Sequence, residues 1–206
     1  MINLHTASTP NGRKILIALE EIDAPFKATF LNLGAGDQFV DGFLQLNPNN
    51  KIPVIEDIDN GVVLWESGAI LLYLGENYDP HNRILPTTMN NRWEAIQYAF
   101  FQTGGLGPNL GRLATQLERL DADRNGEMVS IFSTEVDRLL GVLDRILADG
   151  RDYLAKEFSI ADIMHYPWLR PVIELKAPQL MSRTRVVEWI QKIAARPSIE
   201  RAYHVQ

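Results

Sequence analysis

Apolar side chains recur at strand and helix spacings along the first 80 residues. Residues 2–6 and 26–30 alternate between apolar and polar side chains, which predicts two short strands. Between them, four apolar residues recur at the spacing of one helix face: Ile15, Leu16, Leu19 and Ile22. Thr9 is a suitable N-cap for this helix because Pro10 follows it at the first helical position. The chain is therefore predicted to begin with strand, helix, strand.

A hairpin and a further helix are predicted next. Asn60-Gly61 stands between two short apolar runs, which predicts a β-hairpin with a two-residue loop. Ser67 precedes the apolar run of residues 69–74 and is predicted to be the N-cap of a helix that ends near Asn77. Because the first N–H groups of a helix have no partner within it, the start of this helix is a candidate binding site for a carboxylate.

Beyond residue 80 the apolar residues recur at helical spacing. Turn-forming residues follow Tyr78, and a linker is predicted at residues 81–86. Helical spacing then occupies three segments: residues 93–100, 129–147 and 183–195. The glycines and proline of residues 104–108 are predicted to interrupt the first of these helices, since both residue types weaken helix interiors. Ser159 and Asp162 have the spacing of a capping box at a further helix start.

This order of elements predicts two domains. Strand, helix, strand, helix, hairpin, helix is the order of a thioredoxin-like α/β domain, which we place at residues 1–80. Its first two strands are expected to pair in parallel through a right-handed crossover. Residues 87–206 are predicted to form an all-α domain.

Composition narrows the classes of function. The chain has 206 residues, 46% hydrophobic and 22% charged, as in ordinary soluble proteins. No apolar run approaches the ~20 residues of a membrane span, and the first residues lack the pattern of a signal peptide, so we predict no membrane association and a cytoplasmic location. The absence of cysteine means that any thiol chemistry needs a sulfur supplied by a ligand. The four histidines are far apart, so no metal site is predicted.

The net charge of −6 is unevenly distributed. Residues 1–80 carry four basic and eleven acidic side chains, whereas the remaining residues are nearly balanced. Nucleic acid is therefore not an expected partner, because its phosphates require clustered basic side chains. An acidic domain also repels an anionic ligand at long range, so such a ligand would depend on local donors. Lys51 is a candidate for one of them.

Two motifs carry a resemblance to a known family. Asn50-Lys51-Ile52-Pro53, followed about a dozen residues later by Glu66-Ser67-Gly68-Ala69-Ile70, resembles the glutathione site of the glutathione transferase superfamily. The resemblance implies a cis Pro53, although only about 5–6% of X–Pro bonds in folded proteins are cis. It also implies that Ile52 pairs its backbone with the cysteinyl part of glutathione and that Glu66 and Ser67 hold its γ-glutamyl end. The superfamily pattern covers essentially the whole chain and implies the glutathione transferase fold.

Shorter runs resemble one class of that superfamily. Residues 9–12, 36–39, 48–53 and 102–108 are similar to the nu class of bacterial glutathione-dependent disulfide reductases. This resemblance implies that Thr9 and Asn11 are catalytic and face the glutathione sulfur, with Ser8 left open as an alternative to Thr9. The implied glutathione-binding residues are Thr9, Asn11, Gln38, Lys51, Ile52, Pro53, Glu66 and Ser67. Each polar residue also has a structural alternative: a cap for Thr9, a turn for Asn11, and a solvated surface for Gln38, Lys51 and Glu66.

A second-substrate pocket is expected beside this site. Four residues are candidates for its lining: Phe101, Gln102, Leu106 and Trp168. Core packing is the alternative for the aromatic ones. We expect a homodimer by analogy, with residues 93–105 near the interface. A basic residue that some relatives recruit from the partner subunit has no match here, because Ser130-Ile131-Phe132 is neutral.

Three functions remain open at this point. The first is disulfide reduction, in which the thiolate of bound glutathione attacks a disulfide and two glutathione sulfurs pass through one site. The second is conjugation of glutathione to a small electrophile, or reduction of a peroxide. The third is non-enzymatic binding of glutathione or a protein. Fold alone does not decide among them.

Overall fold

The structure is a computed structural model of the chain. It describes residues 1–118 and 122–205, without the side chains of residues 122–125, 178 and 179. Residues 119–121 and 206, which the predicted helical domain includes, lie outside this description.

The first part of the chain forms a four-stranded mixed sheet with three helices. Its elements are β1 (Ile2–Thr6), α1 (Pro10–Glu21), β2 (Phe26–Phe30), α2 (Asp41–Leu46), β3 (Val54–Asp57), β4 (Val62–Trp65) and α3 (Ser67–Asn77). The strand order is β2-β1-β3-β4, with β1 and β2 parallel and the other neighbours antiparallel. The predicted thioredoxin-like arrangement and the parallel first pair are therefore confirmed.

The core of this part lies between the sheet and helices α1 and α3. Ile2, Leu4 and Ile55 point from the sheet into a cluster of fully buried side chains. The helices contribute their apolar faces to it: Ile15, Leu16 and Leu19 from α1, and Ile70, Leu71 and Leu74 from α3. The start of α1 is as predicted, because the Gly12 N–H donates to Thr9 Oγ1 at 3.3 Å and Pro10 is the first helical residue.

Two predicted details of the first domain are wrong. The hairpin loop has four residues, 58–61, since Asp57 pairs with Val62. The Asp57 carboxylate favours this longer loop by accepting from the Asp59 N–H at 3.1 Å and from Asn60 Nδ2 at 2.8 Å. Ser67 is the first residue of α3 and not its N-cap. Glu66 holds the cap position, with a positive φ of 75° and no side-chain capping bond.

The rest of the described chain is helical apart from an isolated bridge between Ala155 and Glu157. Its helices are α4 (Met89–Phe101), α5 (Gly107–Glu118), α6 (Ala122–Ile146), α7 (Ile160–Glu174), α8 (Pro178–Met181), α9 (Thr184–Ala194) and α10 (Pro197–His204). Residues 78–88 contain no helix or strand, and the linker predicted at residues 81–86 lies there. The division into domains at that place stays a prediction. Among the described helices, none is long and apolar enough to cross a membrane.

Helix α7 lies at the centre of the helical part, where it packs against α1, α4 and α9. Its start confirms the predicted capping box: the Ser159 N–H donates to Asp162 Oδ2 at 2.9 Å, and Ser159 Oγ accepts from the Ala161 N–H. Asp162 also accepts from Trp189 Nε1 at 2.8 Å, which ties α9 to α7. A central helix that is buried this deeply fixes the position of every side chain it turns toward α1.

The glycine-rich segment does not interrupt its helix. Residues 102–106 form a π-helical turn that carries α4 directly into α5. Close packing favours glycine directly after this turn, since a Cβ on Gly107 would lie 2.5 Å from Gln102 Nε2 and 3.2 Å from the Gln102 carbonyl oxygen. The prediction of a break was wrong because a π turn keeps the backbone hydrogen-bonded and requires only close packing at that position. Such turns are common at functional sites.

Candidate functional site

A groove between the sheet domain and the helices consists of two adjoining cavities, of about 540 and 290 Å³. Six residues line both: Asn11, Lys51, Glu66, Ser67, Thr103 and Pro108. The smaller cavity, here the cis-proline compartment, is completed by Asn47, Asn49, Ile52, Pro53 and Trp65. The larger, here the α5 compartment, is completed by Lys14, Gln102, Gly107, Gly111, Arg112, Thr115, Gln116 and Trp168.

The loop that ends at Pro53 forms one side of the cis-proline compartment. The Ile52–Pro53 peptide bond is cis, as the family resemblance implied. Buried Asn47 holds the loop that precedes Pro53. The Asn47 Nδ2 donates to the Lys51 carbonyl at 2.6 Å, and the Asn47 Oδ1 accepts from the Asn49 N–H at 2.9 Å. The loop therefore reaches the groove with its backbone already ordered.

The start of α3 closes the other side of that compartment. The N–H groups of the first turn of a helix have no acceptor within it and attract anions. Ser67 is buried at the first helical position, and Glu66 before it lines the groove with its exposed carboxylate. The helix N-terminus can bind a carboxylate, and the adjacent Glu66 carboxylate can bind an ammonium group. The two together suit a ligand that carries both groups at one end.

Asn11 lies in the first turn of α1, where the two compartments meet. Its Oδ1 accepts from Trp168 Nε1 at 3.0 Å. An indole N–H can only donate, so this contact identifies the oxygen of the Asn11 amide and leaves the NH₂ group as a donor toward the groove. Helix α7 thus fixes the orientation of the Asn11 side chain through Trp168.

Two of the predicted glutathione-binding residues do not line either compartment. Thr9 Oγ1 accepts from the Gly12 N–H as the cap of α1. Gln38 lies near Leu33, whose carbonyl its Nε2 approaches at 3.5 Å, and its buried Oε1 has no partner among the described residues. Ser8, the alternative to Thr9, accepts from Arg13 Nη2 at 3.1 Å. The other six predicted residues all line the groove.

The predicted second-substrate residues divide in the same way. Gln102 and Trp168 line the α5 compartment. Leu106 is fully buried in the core, and the Phe101 ring stacks on His165 with 6.1 Å between centroids. Because α4 continues through the π turn, Phe101 and Leu106 stay on the side that faces the other helices. Both residues are core packing, which corrects their assignment to the pocket.

Sequence analysis missed Lys14. Only 2% of this lysine is exposed, and its Nζ donates to Gln102 Oε1 at 2.8 Å and to Ser67 Oγ at 3.4 Å. Burial lowers the pKa of Lys14 to about 7, against a smaller opposite effect of Glu66. One signal was available, because Lys14 follows Asn11 by three residues and therefore shares its helix face.

Arg112 on α5 is a second cation that sequence analysis did not single out. It is exposed, lines the α5 compartment, and its guanidinium carbon lies 5.9 Å from the centre of the Phe132 ring. Together with Lys51 it places positive charge in the groove, beside the acidic first 80 residues. The described residues contain no group of three or more His, Asp and Glu side chains that could hold a metal ion.

Comparison with known families agrees with this geometry. Residues 2–76 match the family model of the glutathione S-transferase N-terminal domain, and residues 108–197 match that of the C-terminal domain. The chain belongs to the glutathione S-transferase family.

Two curated relatives are named for one reaction. The disulfide-bond oxidoreductase YfcG of Escherichia coli is 35% identical over 207 residues, covering 98% of this chain and 94% of the relative. The disulfide-bond oxidoreductase YghU of the same organism is 32% identical, covering 97% of this chain and 73% of the relative.

Two solved structures are similarly close. A glutathione transferase from Burkholderia graminis, with two glutathione molecules bound per subunit, has a TM-score of 0.89 and 34% identity, covering 98% of this chain and 86% of that one. A glutathione transferase from Pseudomonas putida, with one glutathione disulfide bound per subunit, has a TM-score of 0.89 and 34% identity, covering 99% and 91%.

Proposed function

We propose that this chain is a glutathione-dependent disulfide reductase. The observation that carries the proposal is the groove with two compartments that meet at Asn11. Thiol–disulfide exchange requires the attacking sulfur and the disulfide to meet in one place, with room for a substituent on each side. A groove whose two compartments adjoin, with Asn11 among the residues that line both, has that arrangement.

Glutathione occupies the cis-proline compartment in this proposal. The Glu66 carboxylate binds the γ-glutamyl ammonium group, and Ser67 with the first N–H groups of α3 binds the neighbouring carboxylate. The backbone of Ile52 pairs with the cysteinyl residue, and Lys51 supplies a cation at the mouth. Similar structures with glutathione or glutathione disulfide bound support glutathione as the ligand.

The sulfur then lies near Asn11 and the start of α1. A free cysteine thiol titrates near pH ~8.5, and each unit by which its pKa falls requires a preference of about 1.4 kcal/mol for the thiolate. A helix N-terminus stabilises an anion by up to about 2 kcal/mol. The Asn11 NH₂ group adds a hydrogen bond to the anion, and Thr9 contributes by capping the helix that carries Asn11.

The reaction proceeds by two exchanges. The thiolate of bound glutathione attacks one sulfur of the substrate disulfide, forming a mixed disulfide and releasing the other half as a thiolate. A second glutathione thiolate attacks the mixed disulfide, which yields glutathione disulfide and the second substrate thiol. Because the chain has no cysteine, both attacking sulfurs come from glutathione.

The α5 compartment receives the other half of the disulfide. Arg112, Thr115 and Gln116 line it with a cation and polar groups. We therefore expect a preference for disulfides that carry a carboxylate. The similar structures that hold two glutathione molecules, or one glutathione disulfide, per subunit support a site with room for a second anionic half.

Conjugation is a second candidate function, and an apolar cavity favours it. This cavity of about 430 Å³ shares Trp168 with the groove and is otherwise lined mainly by aliphatic side chains of α5, α6 and α7. An apolar electrophile bound there would lie next to the same thiolate. Both functions use glutathione as co-substrate.

We further propose that the chain works as a homodimer in the cytoplasm, where glutathione is kept reduced. Met89, Trp93 and Phe100 on α4 are 74%, 61% and 68% exposed, an unusual cluster of large apolar side chains. A second copy packed on this face would bury it. Sedimentation equilibrium tests this: a mass near two chains is expected, and a monomeric mass would contradict the dimer.

A three-substrate assay of the purified chain with reduced glutathione tests the main proposal. Hydroxyethyl disulfide, chlorodinitrobenzene and cumene hydroperoxide are compared under one set of conditions. We expect strong disulfide turnover and weak conjugation. Turnover of the electrophile alone would overturn the proposal in favour of conjugation.

A further inference from the structure

Lys14 is a buried cation that lacks a paired carboxylate. Its ammonium group contacts Gln102 Oε1 and Ser67 Oγ, and no carboxylate of the described residues forms a salt bridge with it. Buried charges in proteins are normally paired or coordinated, because removing an ion from water is costly. A lysine left in this state beside a ligand groove points to a counter-charge that arrives with the ligand.

We propose that the γ-glutamyl carboxylate of glutathione is the counter-ion of Lys14, and that binding glutathione therefore takes up a proton at this lysine. The inference rests on the proposed function, since it assumes that glutathione is seated at Ser67. Lys14 acts as a positioning residue: it works through Ser67 and does not touch the reacting sulfur.

Ser67 is the link between Lys14 and the ligand. A serine hydroxyl has one hydrogen to donate and two lone pairs to accept with. Lys14 Nζ donates to Ser67 Oγ at 3.4 Å, which uses a lone pair and leaves the hydroxyl hydrogen free. The hydrogen can then point to a carboxylate in the groove. The ammonium charge thus lies one hydroxyl group away from the proposed carboxylate.

Gln102 extends this link to the α5 compartment. Because an ammonium group only donates, its 2.8 Å contact identifies the Gln102 oxygen and directs the amide Nε2 toward Gly107. That Nε2 is buried with no partner among the described residues. Lys14 therefore anchors both the start of α3 and the π turn that forms the wall of the α5 compartment.

The groups around Lys14 leave it as the one that changes charge near neutral pH. On α7, burial lowers the pKa of His165 to about 4, and its Nδ1 donates to the Ala161 carbonyl, so this ring stays neutral. Glu66 precedes α3, and its effect on Lys14 is to raise the pKa of the lysine, by less than burial lowers it. On α1 itself, Arg13 points away, to Ser8 and to carbonyl groups of α10 and the residue after it.

Two further cations line the groove, Lys51 and Arg112, and both are exposed. The charged groups of α10 lie farther along α1, where Arg201 pairs with Glu20. Burial lowers the pKa of Lys14 to about 7 in the free protein. A carboxylate bound nearby raises this pKa, so the lysine gains a proton near neutral pH when the ligand binds.

Calorimetry in two buffers tests the proposal. S-methylglutathione, which has no thiol proton to release on binding, is titrated into the full chain at pH 8 in phosphate and in Tris, whose ionisation enthalpies differ, and the difference in heat gives the number of protons exchanged. We expect the wild type to take up a fraction of a proton. Lys14→Met should take up none and bind about 10- to 100-fold more weakly, the usual effect of losing a hydrogen bond to a charged group.

Two further variants complete the test. Lys14→Arg keeps a permanent charge, so it should bind glutathione without proton uptake, which a purely structural role would not explain. Lys27→Met removes an exposed lysine of β2 that lies outside the groove and should keep the wild-type uptake. Equal uptake by Lys14→Met and wild type would overturn the inference. Binding without proton uptake in the wild type would also overturn the inference, but it would leave the proposed function intact. No binding in either buffer would refute the proposed function itself.

Discussion

The two compartments of the groove are built in different ways. The cis-proline compartment draws most of its lining from residues 47–53 and 65–67, two short segments that include a helix start, and shares Asn11, Thr103 and Pro108 with the other compartment. The α5 compartment joins side chains of α1, the π turn, α5 and α7, from Asn11 to Trp168. Backbone groups in a short loop are held by local bonds such as those of Asn47. Side chains from four elements depend on the packing of the whole chain.

This difference teaches which changes each compartment tolerates. A loop whose polar groups are backbone atoms keeps its chemistry when its surface side chains change. The α5 compartment loses a contact with each side chain that is replaced. We therefore expect glutathione binding to tolerate changes to the exposed side chains of the loop before Pro53, and substrate preference to vary with single residues of α5. The following changes test that contrast, from the largest expected effect to the smallest.

Asn11→Ala removes the donor at the junction of the compartments. We expect kcat for hydroxyethyl disulfide to fall by about 100-fold, the usual loss for one donor to a developing anion, with a smaller change in the KM for glutathione. Steady-state kinetics measures both. Trp168→Phe is the comparison, since it keeps an aromatic ring in the groove, removes the bond that orients Asn11 and should cost less. Unchanged turnover in Asn11→Ala would remove this residue from the mechanism.

Lys14→Met changes the pH dependence of stability. The folded-state pKa of Lys14 is about 7, below the ordinary 10.5, so the unfolded chain binds the proton more tightly between these values. The contribution of Lys14 to the free energy of unfolding therefore rises by about 2–3 kcal/mol between pH 7 and 9. Well below pH 7 it does not change with pH.

Urea unfolding at pH 7 and pH 9 measures that rise. We expect Lys14→Met to lose it and to be more stable than wild type at pH 7. Lys27→Met, an exposed lysine on β2, should keep the wild-type rise. Identical pH profiles for Lys14→Met and wild type would show that the ammonium group is not buried as described.

Arg112→Gln separates substrate preference from glutathione binding. Turnover of a dicarboxylate disulfide, dithiodipropionate, should fall about tenfold in kcat/KM, the lower end for a hydrogen bond to a charged group, because Arg112 is exposed. Hydroxyethyl disulfide, which has no charge, should be turned over as before. Arg145→Gln, an exposed arginine of α6 outside the groove, is the matched control. Equal losses with both disulfides would argue against a carboxylate contact.

Thr9→Ala tests the smallest effect. Loss of the cap of α1 should lower the free energy of unfolding by about 1 kcal/mol. Turnover of the folded protein should fall less than in Asn11→Ala, because the Thr9 oxygen is engaged by the Gly12 N–H. Thr9→Ser should restore both. A loss of turnover as large as that of Asn11→Ala would return Thr9 to direct contact with the sulfur.

Much of the first domain could be predicted from local patterns. Strands β1 and β2, the cap at Thr9 and the end of α3 follow from short-range spacing and turn chemistry. The hairpin loop was misjudged because the Asp57 carboxylate, outside the loop, orders two residues more than the Asn60-Gly61 signal suggests. The glycine-rich segment was misjudged because packing at Gly107 supports a π turn that its composition disfavours.

The sequence by itself determined the α/β and all-α arrangement, the absence of a thiol of its own, and the motif that forms the cis-proline compartment. These features depend on the spacing of side chains over a few residues, on composition, or on a short continuous motif such as residues 50–53. Only the tertiary structure decided that Lys14 is buried, that Asn11 is oriented by Trp168, and that Leu106 belongs to the core. Burial and long-range hydrogen bonds join residues far apart in the chain, so no local pattern contains them.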